Sequence, residues 1–175
     1  MKVLARRFNI YLALTFMLGL ACGCQTGEPK TEVGALRVHI EASPDPAGTS
    51  QSISMLRSDP VLITIKREPI LTEANIVTAK VIDARGGFAI EIKFDENGAW
   101  LLEQYSAANP GRHFAIFGQW SEKPVAGRWL AAPLITHRVT GGMLAFTPDC
   151  SREEADQLVA GLNNATKKIH KTDLK

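Results

Sequence analysis

The sequence predicts an α+β domain: a single, mainly antiparallel sheet with two helices packed on one face. Three observations carry that expectation. Phe88, Ile90, Ile92 and Phe94 alternate strictly with Ala89, Glu91 and Lys93, directly after the turn residues Ala84-Arg85-Gly86-Gly87. This is the pattern of a hairpin strand with one apolar and one wet face. Near the end of the chain, Ser151 stands three residues before Glu154, which spells a capping box. Behind it, Ala155, Leu158, Val159, Leu162, Ala165 and Ile169 recur at spacings of three and four, the apolar stripe of a helix lying on a sheet. A second helix is punctuated at both ends, by Asp95 or Asn97 before it and by Asn109-Pro110-Gly111 after it.

In chain order, residues 1–23 read as an export leader. Lys2, Arg6 and Arg7 form a positive start, and Phe8 to Leu20 is a short apolar run. That length suits a secretory signal better than a membrane span. Small residues and two cysteines follow. Cys24, preceded by Ala21-Cys22-Gly23, fits the pattern of a lipidated bacterial cysteine better than Cys22, which has Leu20 two positions before it. Residues 24–35, polar with Gly and Pro, read as a tether, and residues 36–175 as the folded domain. The expected address is the bacterial cell envelope, lipid-anchored and facing the periplasm. If Cys24 is the anchor, Cys150 stands alone after processing; if Cys22 is, Cys24 and Cys150 both remain and can pair. The whole chain carries a net charge of +2, and losing the three basic residues of the leader takes it to about −1. No basic field for nucleic acid survives that loss.

Within the domain, Leu36, Val38 and Ile40 alternate with Arg37, His39 and Glu41 as a half-buried strand. Ser43 to Ser52 reads as a loop, Ile53 to Arg57 as a short edge strand, and Val61 to Lys66 as another strand. Thr72 is placed to cap one helical turn over Glu73, Ala74 and Asn75. Val77, Ala79 and Val81 form the first arm of the hairpin. The helix from Gly98 to about Ala108 shows a broad apolar face of Trp100, Leu101, Leu102, Tyr105 and Ala108. Phe114 and Ile116 resume the strand pattern. Gly118 to Arg128 reads as a loop flanked by Trp120 and Trp129. After an apolar strand candidate from Trp129, Gly141-Gly142 turns the chain into the last short strand.

Four stretches resemble the head subdomain of the first periplasmic domain of SecD, part of the SecDF protein-export machinery. They are LTEANIVTAKV, FDENGAWLLEQYSAANPGRHFAIF, AAPLITHRVTGG and FTPDCSREEADQLVAGLN, in order between Leu71 and Asn164. The positions that carry the resemblance are Gly98, Ala115-Ile116, Ala132-Pro133, Gly141-Gly142 and Glu153-Glu154-Ala155. The resemblance implies transient contact with polypeptide crossing the envelope. It does not carry SecD's proton-driven motor, which resides in transmembrane helices, because no apolar run after Cys24 approaches the roughly 20 residues of a span.

The residues point to no enzyme. His39, His113, His137 and His170 lack metal-ligand spacing, and His39 and His113 fall on expected solvent faces. No Gly-x-Ser-x-Gly elbow is present, and no Lys-Ser/Thr follows Gly141-Gly142 to hold a phosphate. No catalytic residue, metal, cofactor or small-molecule substrate is therefore expected. The expected contact residues are Trp120, Arg128 and Trp129, types enriched at binding hot spots. The expected partner is polypeptide or an envelope protein. The alternative function is a structural adaptor that docks one fixed envelope partner.

Overall fold

Among the described residues the fold has nine strands and two helices, and every strand but β2 and β3 contributes to one main core. A computed structural model describes residues 34–56, 58–120 and 126–172. The strands are β1 (Ala35–Ile40), β2 (Ser50–Met55), β3 (Val61–Lys66), β4 (Leu71–Thr72), β5 (Ile76–Ala84), β6 (Gly87–Phe94), β7 (Phe114–Trp120), β8 (Ala126–Ala131) and β9 (Met143–Phe146). The helices are α1 (Glu96–Ala108) and α2 (Arg152–Thr172), and a single 3₁₀ turn covers Glu73–Asn75.

The α+β class holds, but the single sheet does not. The strands make a four-stranded sheet in the order β4-β1-β7-β8, a three-stranded sheet β5-β6-β9 and a separate β2-β3 hairpin, all antiparallel. Alternation reveals which strands are half buried. It does not reveal which strands pair across long connections.

Helix α2 joins the two larger sheets. It packs on β5, on β7 and on β1, with Ala155, Leu158 and Leu162 fully buried. Each leucine removed from water there contributes about 1.5–3 kcal/mol. The capping box is formed: Glu154 N–H donates to Ser151 Oγ at 3.2 Å, and Ser151 N–H donates to Glu154 Oε2 at 2.8 Å. Gly118 allows the helix to approach β7, since a Cβ there would lie 2.4 Å from Leu130 Cδ1 and 3.0 Å from Leu158 Cδ2. The chain entering the domain is also seated on this helix. A Cβ on Gly34 would lie 2.8 Å from the backbone nitrogen of Leu162, so the last residues of the expected tether already belong to the packed structure.

Asp95 caps α1, accepting from Gly98 N–H at 2.6 Å. Only part of its expected apolar face is buried: Leu102 is fully covered, whereas Trp100 is 54% exposed. Of the expected loop from Gly118 to Arg128, residues 118–120 and 126–128 are strand, and residues 121–125 lie outside the described residues. β7 runs through Trp120 and β8 begins at Ala126, paired Trp120 to Ala126 and Gln119 to Gly127. Glycines at 118 and 127 give a turn-like composition, but their role is close packing against Leu130 and Phe117.

Candidate functional site

The β2–β3 hairpin has an apolar inner face and an outer one that is polar except for Leu62. Ile53, Met55 and Ile65 pack with Ala115 of β7 into a second, smaller core. On the outer face Ser52 meets Thr64, their hydroxyls 3.2 Å apart. The hairpin is fastened to the body near its base. Ala42 N–H donates to Thr64 O at 2.9 Å, and Glu41 bridges to Ile65. His39 completes the fastening. A carbonyl only accepts, so the 2.9 Å contact between His39 Nδ1 and Lys66 O places the ring proton on Nδ1.

Away from that base the hairpin leaves a groove of about 750 Å³. Met55, Leu56, Val61, Leu62 and Ile63 line it from the hairpin, Ala89, Ala145 and Phe146 from the three-stranded sheet, and Ala131 to Pro133 from the end of β8. Several of these apolar side chains stay in contact with water: Leu62 is 78% exposed, Val61 45% and Leu56 43%. Leu56 also holds φ at 63°, a left-handed conformation that costs a leucine about 1–3 kcal/mol. Exposed apolar side chains gathered around a concavity are the usual mark of a contact surface.

Glu41, His113 and Thr147 are the polar members of the groove, and the first two are paired. Glu41 Oε2 accepts from His113 N–H at 2.9 Å and pairs with His113 Nδ1 at 2.7 Å. Partial burial pulls the Glu41 pKa upward. The hydrogen bonds from His113 and the charges of His113 and Arg112 outweigh it and hold the carboxyl below its ordinary range. The pair fixes the β1–β7 junction.

The three expected contact residues do not form one patch. Trp120 is 2% exposed and belongs to the main core with Leu158. Trp129 lies on the opposite face of the same sheet, in edge contact with His39 and Phe117 at ring-centroid distances of 5.3 Å. Arg128 sits over the Trp120 ring at 5.0 Å and reaches Glu154 of α2 at 2.5 Å. Trp120 is thus sealed beneath Arg128, and partial exposure remains only at Arg128 and Trp129. His39 is also not on a solvent face: it is 5% exposed, covered by the hairpin. Its burial depresses the imidazole pKa, with the Arg37 charge adding to the effect and the bond to Lys66 O opposing it.

Sequence reasoning missed the groove. The available signal was Leu62: in the run Val61-Leu62-Ile63-Thr64-Ile65 it puts a large apolar residue on the side that alternation assigns to solvent. Cys22 and Cys24, the expected lipidation positions, lie outside the described residues. Cys150 is half buried against the main core. Among the described residues no three His, Cys, Asp or Glu side chains group as a metal site, and no helix is long and apolar enough to cross a membrane.

The described elements make an α+β domain whose small hairpin borders an apolar groove. Comparison with known proteins gives its family. The model of the SecDF P1 head subdomain matches residues 50–166, more than half of the chain, and the chain belongs to that family. The match begins at Ser50 and so takes in the β2–β3 hairpin. Among solved structures, SecDF described as a membrane component that enhances protein export superposes with a TM-score of 0.52 at 21% identity, over 77% of this chain and 64% of that one. SecDF in a super-membrane-facing form gives 0.53 at 20% identity, over 77% of this chain and 19% of that one. The chain therefore spans less than two thirds of either structure. No curated protein matches it.

Proposed function

We propose that this domain makes transient contacts with polypeptide during protein export or envelope biogenesis, without enzymatic or motor activity. The observation that carries the reading is the groove: about 750 Å³ of mostly apolar lining, bordered by exposed Leu56, Val61 and Leu62. Family membership supports it, and so does the description of a SecDF relative as enhancing protein export. A rim of flexible aliphatic side chains suits partners of many sequences, because apolar contact is non-directional. Arg128 and Trp129 remain as secondary contact candidates on the adjoining strand. Trp120 serves instead to hold α2 and the sheet together.

The same proposal places the domain on the periplasmic side of the envelope, held by lipid on Cys24, or on Cys22 as second choice. Several acyl chains give stable anchoring where one gives only marginal binding.

Binding to an unfolded, labelled protein tests the contact. Leu62→Asp puts a charge on the groove rim at an exposed position and should weaken binding about tenfold while the thermal midpoint stays unchanged. Equal binding by wild type and Leu62→Asp would remove the groove from the function. Recovery of a single folded partner in near-stoichiometric amount would favour the adaptor reading.

A further inference from the structure

The three-stranded sheet β5-β6-β9 has two edges, and the structure treats them differently. Phe94 N–H donates to Gly142 O at 2.9 Å, so Phe94 and Gly142 are a hydrogen-bonded pair. In an antiparallel ladder such pairs alternate with non-hydrogen-bonded ones. The register Ile92 to Leu144 and Ile90 to Phe146 therefore continues the bonded series, while Lys93 to Met143 and Glu91 to Ala145 do not bond. The backbone N–H and C=O of Met143 and Ala145 accordingly point away from β6.

The β5 edge checks this parity. Ile92 directs its backbone to β9, so its β5 partner Ala79 must direct its own outward. There the Asn163 side chain of α2 meets it: Ala79 N–H donates to Asn163 Oδ1 and Asn163 Nδ2 donates to Ala79 O, both at 2.9 Å. A side-chain amide thus closes one edge as a strand would. On the β9 edge no described residue does the same. Met143 is 51% exposed and Ala145 is also exposed. The groove described above and a smaller cavity of about 230 Å³ both border this edge and share Ala145 and Pro133.

Resting on the polypeptide-contact reading, we propose that the groove's occupant is an extended polypeptide segment that adds as a fourth strand beside β9. Its backbone would bond the outward groups of Met143 and Ala145, and its alternate side chains would enter the apolar groove. Backbone pairing of this kind takes any sequence but proline, which suits a module that meets many chains. An open edge is ordinarily a liability; here a short one is left between two cavities.

The probe is a fluorescein-labelled octapeptide of alternating valine and threonine with lysine ends, its affinity measured by anisotropy. A series with N-methyl groups moved one amide at a time needs no change in the protein. Strand addition predicts a loss of binding with a period of two residues, about three- to tenfold at each bonded amide. Ala145→Pro removes an outward N–H that β6 does not use, a substitution edge strands tolerate, and should weaken binding similarly. If Leu62→Asp weakens binding but N-methylation shows no period and Ala145→Pro is silent, strand addition is wrong and the groove reading stands. If the peptide does not bind at all, both fall.

Discussion

At position 118 a single methyl group sets how closely α2 approaches the sheet. Leu130 and Leu158, whose tips a Cβ would meet at 2.4 and 3.0 Å, are both fully buried. Gly118→Val is expected to cost about 1–3 kcal/mol of unfolding free energy in urea, as overpacked cores do. Ser151→Ala, which removes the cap hydroxyl, is expected to cost about 0.5–2 kcal/mol by the same measurement. His39 makes stability depend on pH. Its folded pKa lies below the ordinary 6.5, so between the two values the unfolded chain binds more protons. The stability it contributes is present above 6.5 and is lost as pH falls through that window. Glu41, also depressed, adds a second loss on acidification below its ordinary 4.5. His39→Gln keeps an amide donor for Lys66 O and should flatten the first part of a stability profile while leaving the second.

At the scale of the element, Leu158→Ala should be costlier than any cap change, about 2–5 kcal/mol, because it opens a cavity between α2 and both larger sheets. This helix was legible in the sequence down to its capping box, since its signals are local: a cap and a stripe of period 3.6. The β5–β6 hairpin was legible for the same reason. What local pattern could not convey was contact between distant segments. Arg37, His39 and Glu41 read as a solvated face because nothing in their own strand announces that the β2–β3 hairpin covers His39. Trp120 and Trp129 read as neighbours because they flank one loop-like stretch. In the paired strands Trp129 stands opposite Phe117 and Trp120 opposite Ala126, and the alternation of side chains over those three positions puts the rings on opposite faces. Trp100 read as core because it is apolar, yet it is 54% exposed.

At the scale of the molecule, residues 50–166 place the chain in the SecDF P1 head subdomain family, and every groove-lining residue but Glu41 falls within that match. If the proposed anchor is right, mass spectrometry of the mature N-terminus will find a diacylated cysteine at position 24; an unmodified terminus downstream of it would contradict the anchor. The central claim is that exposed apolar side chains around the groove touch passing polypeptide. Its most direct test is site-specific photocrosslinking from position 62 in intact cells, where Leu62 is 78% exposed. The proposal predicts a broad set of trapped chains, weakly captured, that shrinks when export of newly made protein is halted. A single folded partner, or no adduct from position 62 at all, would contradict it.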